Sequence, residues 1–110
     1  MGRLTTHVLD TANGKPAAGI AIDLAMLKAG EWKAVKAVRT NADGRTDAPL
    51  LEGDAFRPGA YELTFHLGSY FKSQGLFDLV PVRFVITDTS AHYHVPLLCS
   101  PWSYTTYRGS

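Results

Sequence analysis

The sequence predicts an all-β protein built as a two-sheet β-sandwich. Hydrophobic residues alternate with polar ones in most segments, which is the period of a half-buried strand. Short turn sequences rich in Gly, Asn, Asp and Pro separate these segments. No segment is long enough for a helix that would connect parallel strands, so we expect one short helix only. Roughly seven or eight short strands separated by turns are typical of a β-sandwich.

The first strand shows the alternation that supports this prediction. Leu4, Thr6 and Val8 fall on one of its faces. Thr5 and His7 fall on the opposite face, because successive side chains of a strand point to opposite sides. We therefore expect the first set to face the core and the second to face outward.

The remaining elements follow from the same alternation and from the turn residues between them. In chain order they are a turn at residues 10–16, a hairpin of strands 20–26 and 32–40 closed at 29–31, a turn at 41–44, a short strand and loop at 47–58, a strand at 61–67, a helix at 69–75, and strands at 82–87, 92–99 and 102–107. Ser69 is the predicted helix N-cap and Gly75 the glycine after the last turn. Pro96 cannot donate to a ladder, so its strand should be an edge or distort there.

Length and composition limit the classes of protein that fit. The 110 residues suffice for a single domain, residues 1–110. A hydrophobic fraction of 45% and a charged fraction of 19% are those of an ordinary globular protein. A net charge of +1 without a basic stripe argues against a nucleic-acid partner. No apolar run approaches the roughly 20 residues of a membrane span, and no signal peptide is evident, so we expect no membrane partner. We expect a cytoplasmic protein if Met1 is the native start and no export signal has been removed.

Histidines and an arginine at outward positions are the candidates for chemistry, since a sandwich of this size fills its interior with side chains. His7 faces away from the core side of its strand, and His92 and His94 point to one side of a regular strand. Arg45 leaves a tight turn at a strand start. Histidine can act as general base or acid near neutral pH, and arginine offers fixed donors to an anion. With a tyrosine and Ser110, this set could hydrolyse an activated amide without a metal.

Each of these residues also has a purely structural interpretation. A lone strand histidine is usually a surface or hydrogen-bonded residue, and an arginine after Asp-Gly is usually a solvated turn residue. The His-x-His pair together with His7 could also form a three-histidine metal site, although no carboxylate ligand is evident. Cys99 is the only cysteine, and its apolar neighbours favour a small buried hydrophobe over a nucleophile. Trp102, Tyr104 and Tyr107 could equally build a subunit interface.

Three segments resemble a known family. They are LTTHVLDTANGKPA at residues 4–17, TNADGRTD at 40–47 and HYHVPLLCSPWSYTTYRGS at 92–110. In order and spacing they look like the transthyretin-related 5-hydroxyisourate hydrolases, and the resemblance covers essentially the whole chain. The Tyr-Arg-Gly-Ser ending is the most specific part, because it separates these enzymes from transthyretin proper, a hormone carrier with a similar scaffold.

This resemblance implies a fold, an assembly and a reaction. The fold is a transthyretin-like Greek-key β-sandwich with one short helix, assembled as a homotetramer. The tetramer is a dimer of dimers, with active sites in a channel at the dimer–dimer interface. The reaction is hydrolysis of the small molecule 5-hydroxyisourate, the product of urate oxidation, to 2-oxo-4-hydroxy-4-carboxy-5-ureidoimidazoline on the route to allantoin. No metal and no organic cofactor is implied.

Matched by motif, the family's functional residues define the predicted site. The predicted catalytic residues are His7, Arg45, His94 and Ser110, and the predicted substrate-binding residues are His7, Arg45, Tyr107, Arg108 and Gly109. We expect His7 or His94 to deprotonate a water that attacks the C6 carbonyl of the N1–C6 amide. Arg45 would stabilise the negative charge of the tetrahedral intermediate. Ser110 and Tyr107 would hold the substrate edge or relay a proton, and His92 is expected to be structural or supporting.

Two other functions remain open at this point. One is a non-catalytic transthyretin-type carrier of a flat aromatic ligand, in which the positions of Arg45 and His94 hold neither arginine nor histidine, that of His7 is lysine, and the Tyr-Arg-Gly-Ser ending is absent. The other is a structural or adhesion sandwich of the immunoglobulin type, which would predict cysteines between the sheets. A metal-dependent hydrolase is a variant of the hydrolase interpretation. An assay after chelation distinguishes it from a metal-free enzyme.

Overall fold

The chain forms a β-sandwich in a computed structural model that describes residues 2–110. The strands are β1 (Arg3–Thr5), β2 (Val8–Asp10), β3 (Lys15–Pro16), β4 (Ala21–Lys28), β5 (Glu31–Arg39), β6 (Leu51–Glu52), β7 (Gly59–His66), β8 (Leu79–Ile86), β9 (His92–His94), β10 (Leu97–Cys99) and β11 (Tyr104–Thr106). One α-helix, α1 (Leu67–Tyr70), and one 3-10 helix, Gly53–Ala55, complete the secondary structure of the described residues. The predicted all-β sandwich with one short helix is confirmed.

One layer is an antiparallel sheet in the order β5-β4-β7-β8. Its hairpin β4–β5 closes at Ala29 and Gly30, whose φ angles are 52° and 78°. Two consecutive residues with positive φ match the twist of the flanking strands, which is why such turns are favoured in hairpins. In β7, Tyr61, Leu63 and Phe65 are fully buried and alternate with half-buried residues, as the sequence predicts.

The other layer is built from two hydrogen-bonded sets, β6-β1-β9 and β11-β10-β2-β3. They continue into each other because β1 leads directly to β2, and β9 directly to β10. The Val95 N–H donates to the Thr5 carbonyl at 3.0 Å, and the Leu97 N–H donates to the His7 carbonyl at 2.9 Å. Parallel pairing therefore runs from the start of β1 to the end of β2 without losing its hydrogen bonds.

The hydrophobic core lies between the two layers. Its largest fully buried side chains are Tyr61, Phe65, Leu4, Ile20, Ile22, Leu24, Leu50, Leu63, Leu67, Ile86, Leu97 and Val8. Leu4, Thr6 and Val8 are buried, as predicted, whereas Thr5 and His7 are only half-buried. The opposite surface of this layer is thus left free to carry polar side chains.

Two strands that the sequence predicts as continuous, at residues 3–9 and 92–99, are each interrupted. The interruptions lie side by side. At the first, the Thr6 hydroxyl donates to the Val95 carbonyl at 2.7 Å, so a side chain supplies the bond between strands. At the second, Pro96 has no N–H to donate, and its carbonyl accepts from the Thr106 hydroxyl at 2.8 Å.

The predicted helix at residues 69–75 is misplaced. The observed helix α1 begins and ends earlier, and the serine predicted as its N-cap lies inside it. Lys72 and Ser73 end the helix, because both adopt left-handed backbone angles, with φ of 56° and 57°. Gly75 serves a different purpose, since a Cβ at this position would collide with the Pro101 backbone.

Smaller differences concern strand ends. The eighth strand β8 begins earlier than the predicted 82–87 and includes Pro81, which is tolerated because β8 is an edge. A short strand, β3, pairs with β2 inside the predicted turn at 10–16. The last strand β11 is shorter than predicted, so Trp102 lies in the preceding turn. Within residues 2–110 no helix has the length and apolar character needed to cross a membrane.

Candidate active site

The candidate site is a depression on the outer face of the layer that contains β1 and β9. Its volume is about 340 Å³. The lining residues come from β1, the segment before β6, β9 and the end of the chain, and they are Arg3, Thr5, Thr6, Arg45, Thr46, Asp47, Ala48, Pro49, His92, His94 and Ser110. Three of the four predicted catalytic residues, Arg45, His94 and Ser110, therefore meet in one cavity.

Arg45 is held at this cavity by the turn that precedes it. The Asn41 side-chain carbonyl accepts from the backbone N–H groups of Asp43 and Arg45, at 2.9 and 3.2 Å. Gly44, with a φ of 74°, packs against the Val8 carbonyl so closely that no Cβ fits there. The Asn-Ala-Asp-Gly sequence thus folds into a tight turn that lies against the start of β2. The exposed guanidinium of Arg45 leaves this turn toward the cavity.

His7 lies beside Arg45 but does not line the cavity. The two residues form an antiparallel β-bridge. The His7 Nε2 lies 2.8 Å from the Asp43 carbonyl oxygen. Because a carbonyl can only accept, Nε2 carries the proton and donates, which leaves Nδ1 as the acceptor of the neutral ring. The same turn that places Arg45 therefore also fixes the ring of His7.

His92 and His94 point to the same side of β9, and the break at Pro96 does not separate them. Their ring centroids are 6.1 Å apart. The Thr5 hydroxyl oxygen lies between them, 2.8 Å from His94 Nδ1 and 2.8 Å from His92 Nε2. His92 is exposed, whereas His94 is half-buried at the base of the cavity.

The surroundings of His94 favour its neutral form. Burial lowers the pKa of His94 below its ordinary value of 6.5, and the positive charges of Arg45, His92 and His7 lower it further. At neutral pH the imidazole therefore holds a free lone pair on one ring nitrogen. This is the state in which a histidine can remove a proton from water.

The end of the sequence folds back over His94. Gly109 forms a β-bridge with His94, and its N–H donates to the His94 carbonyl at 2.7 Å. A Cβ at Gly109 would lie 2.5 Å from Cδ2 of the His94 ring. Only a glycine leaves room for the imidazole here, and the bridge brings Ser110 to the rim of the cavity.

Two predicted substrate-binding residues lie elsewhere. Tyr107 and Arg108 line a second depression of about 350 Å³, whose other walls come mainly from β8 and the inner residues Tyr93 and Val95. The Arg108 guanidinium stacks on the Tyr93 ring, 4.3 Å from its centroid, and donates to the His92 carbonyl at 3.3 Å. In the single chain, Arg108 therefore contacts the backbone of β9 from outside the first cavity.

Cys99 has no part in the candidate site. It is fully buried, and burial together with the nearby Asp10 charge raises the pKa of its thiol to about 12. The thiol therefore stays protonated and behaves as the small buried hydrophobe that the sequence predicts. In residues 2–110 no group of three or more His, Cys, Asp or Glu side chains is arranged to hold a metal ion. The metal-free mechanism stays a prediction.

Sequence reasoning did not select Thr5, Arg3 and Asp47 as site residues. The alternation places Thr5 on the same outward face as His7, which was the available signal. Its position beside the histidines depends on the parallel register that pairs Thr5 with His94, and no local pattern indicates that register. Asp47 enters the site through a loop whose path is equally non-local.

Comparisons with known proteins agree with this arrangement. The chain matches the HIUase/Transthyretin family over residues 4–109. It is 55% identical to 5-hydroxyisourate hydrolase 2 of Rhizobium meliloti (strain 1021), over 99% of this chain and 97% of that protein. The solved structure of Klebsiella pneumoniae 5-hydroxyisourate hydrolase has a TM-score of 0.83 and 34% identity, covering 98% of this chain and 99% of that one.

A transthyretin structure is also similar in fold but more distant in sequence. Sea bream transthyretin in complex with thyroxine has a TM-score of 0.90 and 28% identity, covering 97% of this chain and 94% of that one. The scaffold is thus shared between the two branches, while the sequence is closer to the hydrolase branch. Both the family match and the full-length identity lead to one conclusion: this chain belongs to the HIUase/Transthyretin family.

Proposed function

We propose that this chain is a hydrolase that converts 5-hydroxyisourate to 2-oxo-4-hydroxy-4-carboxy-5-ureidoimidazoline in urate degradation. The observation that carries the proposal is the meeting of Arg45, His94 and Ser110 in one cavity, with His7 one β-bridge away. These are the positions to which the resemblance assigns the family's functional residues. The relatives named as 5-hydroxyisourate hydrolases support the same substrate.

His94 is the general base in this proposal. Its lowered pKa keeps the ring neutral at physiological pH, and it lines the cavity in which the substrate would sit. The neutral imidazole takes a proton from a water molecule, whose oxygen attacks the C6 carbonyl. His7 is held by the Asp43 carbonyl and offers its Nδ1 lone pair to a second position, at which it orients the water or the substrate.

Arg45 stabilises the charge that develops during the attack. Water addition converts the C6 carbonyl oxygen into an oxyanion, and a fixed guanidinium beside it lowers the energy of that intermediate. The C6–N1 bond then breaks, and the His94 imidazolium returns its proton to N1. The ring opens to a carboxylic acid and a ureido group, and the acid releases the second proton of the water molecule to solvent as it becomes a carboxylate. Ser110, at the cavity rim, is placed to bind the substrate edge.

The alternative is a non-catalytic carrier of a flat aromatic ligand. The shared scaffold favours it, because a thyroxine-bound transthyretin superposes on nearly the whole chain. The side chains of the cavity argue against it. A carrier needs no neutral histidine beside an arginine, whereas hydrolysis of an amide uses both.

We further propose that the active form is a homotetramer, a dimer of dimers with the sites at the dimer–dimer interface. Large hydrophobic side chains are exposed on or near the edge strands β8 and β11, and they are Leu79, Val85, Trp102, Tyr104 and Tyr107. Edge strands that are exposed and apolar are ready to pair with another chain. Two outer faces set against each other would turn each open depression into a channel and exclude water from it.

A cytoplasmic location is part of the same proposal. The single cysteine is free and buried, in keeping with a protein that does not depend on an oxidising compartment. Cell fractionation followed by immunodetection tests the location directly.

The decisive experiment is the ultraviolet decay of 5-hydroxyisourate, freshly generated from urate by urate oxidase. Native protein should accelerate the decay well above the spontaneous rate. His94→Ala and His7→Ala should each lose about 10²–10⁴-fold in rate, the typical contribution of a positioned acid–base group. His66→Ala is the matched control, since His66 lies on the other layer, bonded to Asp23 at 2.7 Å.

The outcomes separate the two functions. Loss of activity in both site variants, with native activity in His66→Ala, supports the hydrolase and its site. If either site variant stays within about tenfold of native turnover, that histidine is not the acid–base group. Background decay with a folded native protein would overturn the enzyme and leave the carrier, for which thyroxine binding is the next measurement. A repeat of the native assay after chelation tests the metal-free mechanism.

A further inference from the structure

We propose that Thr5 is a positioning residue that, together with His92, decides which ring nitrogen of His94 carries the proton. The inference rests on the proposed function, because it concerns the base of that reaction. It assigns a role to Thr5 and to His92, neither of which needs to touch the substrate. One hydroxyl group holds a single proton, and this limit links the two histidine rings that contact Thr5.

A single hydroxyl lies between two imidazole rings. Thr5 Oγ1 is 2.8 Å from His94 Nδ1 and 2.8 Å from His92 Nε2. A hydroxyl has one proton to donate and lone pairs to accept with. If it donates to one ring nitrogen, the other nitrogen must donate to it for both bonds to form. The proton positions on the two rings are therefore coupled through Thr5.

Two arrangements satisfy both bonds when His94 is neutral. In the first, His94 Nδ1–H donates to Thr5, and the Thr5 hydroxyl donates to His92 Nε2. In the second, His92 Nε2–H donates to Thr5, and the Thr5 hydroxyl donates to His94 Nδ1. The first arrangement leaves His94 Nε2 unprotonated, whereas the second places the proton on His94 Nε2.

Only in the first arrangement is His94 Nε2, the ring nitrogen that does not bond Thr5, unprotonated and able to act as a base. Nδ1 is bonded to Thr5 in either case, so the attacking water must be deprotonated by Nε2. A base in the wrong tautomer cannot accept a proton there, even though the ring is neutral. Setting the tautomer is therefore a requirement of the proposed chemistry, in addition to keeping the ring neutral.

The charge on His92 selects between the two arrangements. A neutral His92 can accept on Nε2, which permits the first arrangement. A protonated His92 has a proton on both nitrogens and can only donate, which forces the second. His92 is exposed, so it can take up a proton from solvent. Its protonation then leaves His94 Nε2 protonated, and His94 can no longer act as the base.

Other charged groups face the same region and enter any pH dependence. The titratable and charged side chains that line the cavity or act on His94 are Arg3, His7, Arg45, Asp47 and His92. Burial and the cations among them also lower the pKa of His94. His94 is thus favoured in its neutral form, and whether that neutral ring can act as a base then depends on its tautomer.

The test compares Thr5→Val with Thr5→Ser. Valine keeps the shape of threonine without the hydroxyl, and serine keeps the hydroxyl without the methyl group. We expect kcat/KM of Thr5→Val to fall about 10–100-fold, the cost typical of losing a group that orients a metal-binding histidine. Thr5→Ser should recover most of that loss.

A second readout does not depend on activity. Nitrogen NMR of the histidine rings, in protein without substrate, distinguishes protonated from unprotonated nitrogens. Native protein and Thr5→Ser should show His94 protonated on Nδ1, and Thr5→Val should show a mixture of tautomers. His92→Gln offers an acceptor that cannot be protonated, so it should hold the Nδ1 tautomer at acid pH where native protein loses it. His92→Leu, which has no acceptor, should not.

Each result decides the matter. A His94 tautomer and a pH profile that are the same in Thr5→Val and native protein would overturn the proposal. So would equal tautomer populations in His92→Gln and His92→Leu, a comparison that holds even if Thr5→Val fails to fold. If native protein shows the Thr5-dependent tautomer but does not hydrolyse 5-hydroxyisourate, the proton placement stands and the proposed substrate is wrong.

Discussion

His94 shows how a single position combines the requirements of a base. It is half-buried at the bottom of a cavity, so desolvation disfavours its charged form. The positive charge of Arg45 acts in the same direction, since two like charges close together raise each other's energy. The residue that would stabilise the oxyanion thus also keeps the base neutral. One arginine contributes to both steps of the proposed reaction.

The direction of this pKa shift predicts the pH dependence of the enzyme. Only neutral His94 can accept a proton, so activity is present above its pKa and lost as the pH falls through it. Because the pKa is lowered, the acid midpoint of kcat/KM should lie below 6.5. Arg45→Gln should move that midpoint upward, since a positive charge is removed, while also reducing the rate. The measurement is kcat/KM against pH, with the spontaneous decay subtracted at each pH.

A native acid midpoint at or above 6.5 would contradict this account of His94. A midpoint that Arg45→Gln leaves in place would show that the guanidinium does not act on the base. Lys33→Gln is the matched control, because Lys33 pairs with Glu31 within β5, on the other layer. It removes one positive charge from the protein without changing the field at the cavity, so its profile should match that of native protein.

Residues 107–110, as an element, close the site from one side. Their contact with β9 is made by the backbone of Gly109 and by the Arg108 side chain, and both bonds go to β9 carbonyls. The absence of a side chain at Gly109 lets this segment lie directly against the His94 ring. Its sequence therefore supports the geometry of the base as well as supplying Ser110.

Gly109→Ala tests this contact. A methyl group there would overlap Cδ2 of His94, so the ring or the whole segment must move. A displacement of about 1 Å at a catalytic group can cost on the order of 10²-fold in rate, and we expect a loss of that size in kcat/KM. The free energy of unfolding should change by no more than about 0.5–1 kcal/mol, because the segment is largely exposed.

Gly14→Ala provides the opposite pattern. Gly14 has a φ of 67° in an open turn that does not line the cavity, with nothing near the added methyl group. Backbone strain should lower the free energy of unfolding by about 1 kcal/mol while kcat/KM stays native. The two variants are compared by thermal unfolding and by the decay assay. Native activity in Gly109→Ala would show that the segment does not hold His94 in place.

The elements also show how far local sequence determines this fold. Alternation placed Leu4, Thr6 and Val8 in the core and both His92 and His94 outside, because side-chain direction in a strand depends only on sequence position. The helix was misplaced, because its end is set by left-handed Lys72 and Ser73, neither of which has a sequence preference for that geometry. The strand breaks depend on contacts between segments that are distant in the chain.

The candidate site divides in the same way. Arg45 could be anticipated, since the Asn-Ala-Asp-Gly turn that presents it is a local structure. The hydroxyl between the two histidines could not, because it requires the register of β1 against β9. Tyr107 and Arg108 line the second depression and not the first, so their predicted roles in substrate binding stay predictions.

At the scale of the whole molecule, the sheet edges formed by β8 and β11 carry large exposed apolar side chains. Val85 on β8 is 61% exposed, and Tyr107 after β11 is 55% exposed. Both line the second depression. An association through these edges would remove the exposed apolar surface and bring further chains close to each candidate site.

Val85→Lys is expected to disrupt that association. Lysine on an edge strand opposes pairing with another strand. Native protein should have a mass of about four chains by sedimentation, whereas the variant should be smaller and less active, because the depression stays open to water. Val35→Lys, on the opposite edge strand β5 and 41% exposed, is the matched control and should keep the native mass. An unchanged mass in Val85→Lys would exclude this edge as an interface.

The parallel pairing of β1 with β9 has a consequence for the order in which the protein acquires activity. Thr5 and His94 are 89 positions apart, so β1 can pair with β6 midway through synthesis but lacks its other partner, β9, until almost all of the sequence has been synthesised. The β4–β5 hairpin, by contrast, needs only neighbouring residues. Contacts between distant segments pay the cost of closing a long loop before they stabilise anything, and they form late. During synthesis on the ribosome, the face that carries the candidate site is thus the last part of this protein to be completed.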